Sequence, residues 1–207
     1  MKKSHSLFLS LLLSLGLSAA ATTHAAVITF DDLPATELDA IPEGYHGFTW
    51  GESFFSNVSY IHKDTAPDSG YENGVVSGDY AAFNFLASTS LIKTTGGETF
   101  DFNGASFASA WKDNTNLMVT GFLNNTALFT QTVIINTSTS QWFNFNFLGI
   151  NALELKVWNY TPNDGNDYYV MDNFTYNQSS SVSESSSLAL LLLGAAGILL
   201  GRKNKKA

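Results

Sequence analysis

Hydrophobic residues in the central part of the chain recur with a period of two, which is the spacing of a β-strand rather than of a helix. The run at residues 142–147 alternates without a break and places Phe143, Phe145 and Phe147 on one face. The same pattern predicts further strands at residues 27–30, 48–50, 58–61, 80–85, 100–102, 106–111, 117–123, 127–135, 153–158 and 168–176.

Turn signals separate these predicted strands, and no stretch between them has the pattern of a long amphipathic helix. Turns are expected at Glu43-Gly44, Asn73-Gly74, Asn103-Gly104, Asn124-Asn125 and Asn163-Asp164-Gly165-Asn166. About ten short strands at this spacing predict an all-β fold, an antiparallel β-sandwich of the jelly-roll kind. Residues 26–178 are long enough to form it as a single domain with one core.

The first 25 residues have the pattern of a secretory signal peptide. Lys2 and Lys3 precede an apolar stretch at residues 7–21, and small residues follow it up to Ala25, after which we expect cleavage. The alternative is a first transmembrane helix, for which the apolar stretch is short. The pattern therefore predicts that the domain is exported.

The C-terminal end has the pattern of a membrane anchor or a sorting signal. A serine-rich linker at residues 179–187 leads into an apolar helix and basic tail at residues 188–207. The apolar run covers 14 residues, 188–201, whereas a helix that spans a bilayer needs roughly 20. The basic residues after it would stay cytoplasmic and leave the domain on the outer side.

The tail resembles the PEP-CTERM sorting signal of Gram-negative bacteria, in which a Val-Pro-Glu-Pro motif precedes a short apolar helix and an Arg-rich end. Here the motif reads Val182-Ser183-Glu184-Ser185, so Val182 and Glu184 are kept and serine replaces both prolines. The resemblance implies sorting by an exosortase, a transient stay in the inner membrane, and a final place at the cell surface or in the exopolysaccharide matrix. A rhombosortase-type tail and a simple membrane anchor are the alternatives.

The charge of the domain restricts its partners. Residues 26–178 contain 17 acidic residues and four lysines, which gives a formal charge of −13. Nucleic acids and anionic surfaces are therefore poor partners, and cations are favoured. The chain has no cysteine, which excludes disulfides and thiol chemistry.

Two aspartates lie in phase with apolar residues of the predicted strands. Asp32 follows the first strand, and Asp172 lies in the last strand in phase with Val170 and Phe174. If both carboxylates face the apolar side, each unpaired charge costs several kcal/mol, and a hard cation such as Ca²⁺ would neutralise it. The pattern thus predicts a structural calcium at Asp31, Asp32 and Asp172. The alternative is that Asp31 and Asp32 cap a turn and that Asp172 accepts a hydrogen bond from a backbone amide.

The segments Phe30-Asp31-Asp32-Leu33 and Val170-Met171-Asp172-Asn173-Phe174 resemble two elements of the jelly-roll carbohydrate-binding modules. In those modules, an acidic residue after the first strand and an Asp in the last strand often hold a structural calcium that ties the termini together. With Phe102-Asn103-Gly104-Ala105-Ser106-Phe107, the chain also resembles exported domains that precede PEP-CTERM tails. The resemblance implies a sandwich fold and assigns no ligand-binding residue.

Sugar binding requires an exposed aromatic face beside hydrogen-bonding side chains. Trp158 shares its predicted strand face with Glu154 and Lys156 and is the first candidate, followed by Trp111 and Tyr45. The alternative is that these rings belong to the core or cover a sheet edge.

Motifs of catalysis are mostly absent from the sequence, which has no Gly-x-Ser-x-Gly elbow and no His-Glu-x-x-His pair. The sequence therefore favours a non-catalytic exported β-sandwich that acts in the exopolysaccharide matrix or at the outer surface as a binding or structural module, with exopolysaccharide as its candidate ligand. A carbohydrate-active hydrolase with an unidentified acidic pair is one alternative, because glycosidases need only two carboxylates at a suitable separation. A purely structural matrix protein is the other.

Truncation at Ser181 tests the sorting signal. If residues 182–207 retain the protein at the surface, their removal releases a soluble periplasmic or secreted protein, because the apolar helix is lost. Cell fractionation followed by immunoblotting measures this change. The same distribution for the truncated and the full-length protein would contradict a sorting role. Glu184→Ala tests the exosortase separately, since a simple anchor does not need that carboxylate.

Overall fold

The structure, a computed structural model, describes residues 26–51, 57–158 and 168–177. The predicted signal peptide, linker and tail, with Val182 and Glu184, lie outside these residues, as does the turn expected at residues 163–166. Within the described ranges, no helix is long and apolar enough to cross a membrane.

Short β-strands make up most of the described residues, and every strand pair is antiparallel. In chain order the strands are β1 (Ala26–Ile28), β2 (Leu38–Ala40), β3 (Phe48–Trp50), β4 (Val58–His62), β5 (Tyr80–Asn84), β6 (Ser90–Thr94), β7 (Phe100–Ser109), β8 (Thr115–Leu123), β9 (Thr126–Ile135), β10 (Gln141–Ile150), β11 (Ala152–Trp158) and β12 (Tyr169–Tyr176).

These strands form two sheets. Sheet A has the order β10-β7-β12-β5-β4-β2, and β1 pairs with one end of β12. Sheet B has the order β3-β6-β11-β8-β9. One large hydrophobic cluster takes residues from both sheets, so the sheets pack face to face around a shared core. The predicted antiparallel β-sandwich is thus confirmed.

Two strands and two turns differ from the sequence-based expectation. The turn predicted at Asn73-Gly74 is instead the end of a short helix, Gly70–Gly74. The alternation pattern does not predict β2 or β6, which have only three and five residues. It does predict a turn at Asn103-Gly104, and this prediction is wrong because β7 runs through the pair. The glycine serves a different purpose: a side chain at Gly104 would overlap the carbonyl of Phe143 and crowd the ring of Trp142 on the neighbouring strand.

The alternation predicted for residues 142–147 is confirmed in β10. Phe145 and Phe147 are buried between the sheets, whereas the residues before each of them are exposed. The ring of Phe145 stacks on Phe102 within sheet A, with 5.3 Å between centroids. The ring of Phe147 stacks on Phe129 of β9, at 5.1 Å, and so joins sheet A to sheet B.

A second, smaller hydrophobic cluster covers part of the outer face of sheet A. It contains Val170 of β12 and Tyr71 of the short helix α1 (Gly70–Gly74). The helix lies so close to the sheet that a side chain at Gly70 would overlap the backbone carbonyl of Ser109. Glycine at this position therefore allows α1 to cover the sheet.

Gly70→Ala is expected to destabilise the protein by about 1–3 kcal/mol, because the added methyl group must displace backbone atoms of β7. Urea denaturation followed by tryptophan fluorescence measures the change. Gly96→Ala is the matched control, since the atoms nearest to the added carbon there belong to the flexible carboxylate end of Glu98. Equal effects of the two substitutions would show that α1 does not depend on the close approach.

Candidate functional site

Asp172 is fully buried, but it faces the outer side of sheet A rather than the core. Val170 belongs to the outer cluster, whereas Met171 and Phe174 both belong to the core between the sheets. The alternation breaks at Asn173, which has a φ of 53° and lies where the pairing of β12 with β7 shifts register. The prediction that Asp172 shares a face with Phe174 is therefore wrong, because a bulge reverses the phase between them.

The carboxylate of Asp172 obtains its shortest hydrogen bonds from backbone amides, and the Ser77 hydroxyl donates a longer one to Oδ2 at 3.3 Å. Its Oδ2 accepts hydrogen bonds from the N–H groups of Val76 at 2.7 Å and Ser77 at 2.8 Å. Its Oδ1 accepts one from the N–H of Asn173 at 2.6 Å. Burial raises the pKa of Asp172, and the donated hydrogen bonds oppose this rise.

Asp31 and Asp32 lie beyond the first strand, in the turn that follows it, and their carboxylates bond to residues distant in sequence. β1 ends at Ile28, and Phe30, with a φ of 65°, turns the chain. Oδ1 of Asp31 accepts hydrogen bonds from the N–H groups of Asp79 at 2.7 Å and Tyr80 at 3.2 Å. The prediction that Asp32 continues the strand toward the apolar side is wrong, since its side chain is exposed.

One segment, residues 76–80, therefore receives both carboxylates. Asp172 binds its first two amides and Asp31 binds its last two. The amide donors compensate the buried charge of Asp172, the role predicted for a cation. The described residues contain no group of three or more His, Asp or Glu side chains arranged to hold a metal. Calcium binding at Asp31, Asp32 and Asp172 is not needed to explain the burial of Asp172, and it stays a prediction.

Tyr45 lies in a small aromatic and polar cluster. Its ring packs on Phe30 and Trp50, at 6.2 and 6.1 Å between centroids, and its hydroxyl donates a short hydrogen bond to Asp32. This hydroxyl, together with His46 at 3.2 Å, lowers the pKa of Asp32, while burial raises the pKa of Tyr45. The half-buried ring thus takes part in packing and in holding the turn that follows β1.

The structure does not bring the three predicted aromatic residues together. Phe48, three residues after Tyr45, pairs at the end of sheet B where β11 begins. Trp158 is the last residue of β11, six residues after Ala152. At 3.3 Å per residue, it lies about 20 Å from the end of the sheet near Tyr45. Trp111 lies near the Trp158 end of the sandwich, but it packs on Tyr71 at 5.4 Å, over the outer face of sheet A.

Trp158 lies on the outer face of sheet B, as its phase predicts. Leu153 and Leu155 are fully buried in the core, so alternation directs Ala152, Glu154, Lys156 and Trp158 to the opposite face. Trp158 is 38% exposed. We call this outward face of β11, from Ala152 to Trp158, the sheet B platform.

A shallow pocket of about 210 Å³ lies at the Ala152 end of the sheet B platform. Three apolar and three polar residues line it: Leu91, Phe122, Ala152, Lys93, Asn125 and Glu154. The apolar residues can contact the C–H face of a small molecule, and the polar residues offer both hydrogen-bond donors and acceptors. Glu154 is the one carboxylate among the six, whereas acid–base cleavage of a glycoside requires two.

Sequence reasoning missed five of these six residues, since it named only Glu154, on the face of Trp158. Leu91 and Lys93 belong to β6, on either side of the buried Ile92. This alternation is a usable signal of a strand, but it is short. Phe122 and Asn125 come from the end of β8 and the turn after it. No local pattern indicates that these positions lie beside Glu154, because the pairing of β11 with β6 and β8 brings them together.

Trp142 is a further exposed aromatic residue that sequence reasoning did not select. It is 44% exposed on the outer face of sheet A, where its ring lies over Gly104. Its indole N–H donates a hydrogen bond to Oδ1 of Asn144 at 2.9 Å. The side chain is thus held in place by its own strand and stands apart from the pocket.

Comparisons with known proteins yield similar structures only. No protein-family model matches the chain, and no curated protein matches it. A CBM51 module from the GH95 protein of Clostridium perfringens, solved with methyl-galactose, has 15% sequence identity and a TM-score of 0.38, and the match covers 73% of this chain and 99% of that module. The module TmCBM61, solved with β-1,4-galactotriose, has 10% identity and a TM-score of 0.33, with 65% and 93% covered.

Asp172→Asn is expected to lower the free energy of unfolding by about 1–3 kcal/mol, because the new amide NH₂ group faces a backbone N–H and leaves it unsatisfied. If donors of the protein itself, the amides and the Ser77 hydroxyl, are the full set of partners, the loss is the same in EDTA and in millimolar calcium. Thermal and urea unfolding of the full chain measure both values.

Asp39→Asn is the control for this substitution, since among the described residues the exposed Asp39 carboxylate accepts a hydrogen bond from the neighbouring Ala40 N–H alone. A melting temperature that falls in EDTA in the parent protein, and no longer responds in Asp172→Asn, would assign a cation to the site instead.

Proposed function

We propose that the protein is a non-catalytic β-sandwich that binds polysaccharide on the sheet B platform. The observation that supports this most is the alignment of Trp158 and the pocket on one exposed strand face. An exported protein with a PEP-CTERM-like tail would act at the cell surface or in the exopolysaccharide matrix, after sorting by an exosortase. This location rests on the terminal sequence patterns alone.

The dimensions of the platform suit an extended chain of sugars. Ala152 and Trp158 are six residues apart, so the pocket and the indole ring lie about 20 Å from each other along β11. A sugar ring has a C–H patch that stacks on an aromatic face and a rim of hydroxyl groups. Trp158 would supply the aromatic face at one end and the pocket would supply hydrogen bonds at the other.

The charges on the platform favour a neutral polysaccharide. Lys93 and Lys156 lie beside Glu154, so the local charge is nearly balanced although the domain as a whole is strongly acidic. A polyanionic chain would meet the long-range repulsion of that acidic domain. Neutral hydroxyl groups need both donors and acceptors, which Lys93, Asn125 and Glu154 provide.

A binding role is favoured over a hydrolase by the composition of the pocket. Glycosidases place two carboxyl groups about 5–10 Å apart on either side of the scissile bond. Among the described residues, Glu154 is the single acid that lines the pocket, and Trp158 is far from it. A purely structural protein would not need an aromatic residue exposed in line with a pocket.

Trp158→Ala is expected to reduce retention by a neutral polysaccharide at least tenfold, because stacking on the indole ring is lost. Affinity electrophoresis of the full chain in gels that contain the polysaccharide measures retention, and a glycan array selects the polysaccharide. Trp111→Ala is the matched control, since it removes an exposed tryptophan from the outer side of sheet A.

Stability is measured in parallel with retention. A surface substitution changes the free energy of unfolding by about 0.5 kcal/mol or less. If Trp158→Ala costs about 3 kcal/mol or more, the ring is part of the packing. If both tryptophan variants bind as the parent does, or if the parent binds no polysaccharide on the array, the proposed function is wrong.

A further inference from the structure

The edge strands of the two sheets differ in how well they are protected. Sheet edges carry unpaired backbone N–H and C=O groups, and proteins usually protect them with short strands, charges, prolines or bulges. β2 is three residues long and carries Asp39, and β3 is also three residues long. β10 is long, but two register shifts and the positive φ values of Asn146 and Gly149 make it irregular.

β9 has almost none of these protections, apart from one bulge near its start. It spans ten residues, Thr126–Ile135, contains no charged residue, proline or glycine, and pairs with β8 alone among the described strands. Its single register shift lies near the start, and from Phe129 to Ile135 the pairing is continuous. Leu128 and Ile134 are 47% and 54% exposed. Such an edge is a template for pairing with another strand.

The charge distribution indicates which partner would fit this edge. From Asn114 to Leu153 the sequence has no Asp, Glu, Lys, Arg or His residue, although the domain carries a formal charge of −13. This uncharged stretch includes β8, β9 and β10. Two copies of an acidic domain repel one another over most of their surfaces, and the repulsion is weakest where both present the uncharged edge.

We propose that β9 pairs antiparallel with β9 of a second copy of this chain, about a two-fold axis that crosses the strand. The interface is isologous, because the same strand contributes on both sides. The two copies of sheet B become one ten-stranded sheet, twice the five strands of each copy. The pairing places the outward Thr130, Thr132 and Ile134 of one copy beside outward residues of the other, and it does not depend on sugar binding.

Single cysteines test the register, since the chain has no cysteine of its own. In an antiparallel pair about a two-fold axis, only the residue on the axis lies opposite its own copy, with Cβ atoms close enough for a disulfide. We substitute residues 130–134 one at a time in the full chain, oxidise the cells, and measure disulfide-linked dimer on non-reducing gels. One position is expected to exceed its neighbours at least fivefold.

The control for the scan is Gln141→Cys, on the exposed edge strand β10. A flat profile across residues 130–134, or a cross-link at residue 141 that equals the maximum on β9, would overturn the proposal. A heterologous pairing of β9 with β10 gives no maximum within β9, so it also counts against the two-fold arrangement.

Opposite charges at Thr132 provide the second test, which does not depend on cross-linking. Thr132→Lys and Thr132→Glu each place like charges across the two-fold axis or close to it, and each is expected to reduce co-purification of two differently tagged copies at least tenfold. Co-expression of the Lys and Glu variants is expected to restore it.

Restoration by the mixed pair also shows that both variants fold. Gln141→Lys is the matched charge control and is expected to leave co-purification unchanged. If Thr132→Lys has no effect, or if Gln141→Lys is equally disruptive, β9 is not the interface.

Discussion

Burial of aromatic rings between the two sheets is the constraint on which the rest of the structure depends. The chain has no disulfide, and few ion pairs are found in the described residues, so packing must supply most of the stability. The rings of Phe48, Trp50, Phe102 and Phe174 form a continuous series of contacts, with centroids 4.9 to 5.9 Å apart. Each such pair contributes about 0.5–1.5 kcal/mol beyond the area it buries. Because alternate residues must fill this core, the others are directed to the two outer faces.

The two outer faces have different roles. Sheet A is partly covered by α1 and by the segment at residues 76–80, which the carboxylates of Asp31 and Asp172 hold through backbone amides. These two bonds link the first and last strands of the domain through a shared loop. In the carbohydrate-binding modules that the chain resembles, a calcium ion often ties the termini together. In this protein, hydrogen bonds to backbone amides make that connection. Sheet B keeps an outer face on which a tryptophan and a pocket are exposed.

The sheet B platform and the β9 edge belong to the same sheet but have different chemistry. The platform combines lysines, Glu154 and an indole ring, which suits a hydroxyl-rich ligand. The edge combines threonines with exposed aliphatic side chains and has no charge, which suits another strand. A ligand on the platform and a second copy at the edge would therefore not compete for the same surface.

The sequence by itself determined the fold class, because a period of two in residues such as Phe143, Phe145 and Phe147 is a local property that any half-buried strand requires. It also determined that Trp158 lies on the outward face of its strand and that residues 114–153 lack charge. Only the tertiary structure decided where Asp32 and Asp172 point, since the turn at Phe30 and the bulge at Asn173 reverse the phase without a hydrophobic signal. It alone decided that Lys93, Phe122 and Glu154 line one pocket, because backbone pairing between strands distant in sequence places them there, and no local pattern records which strands pair.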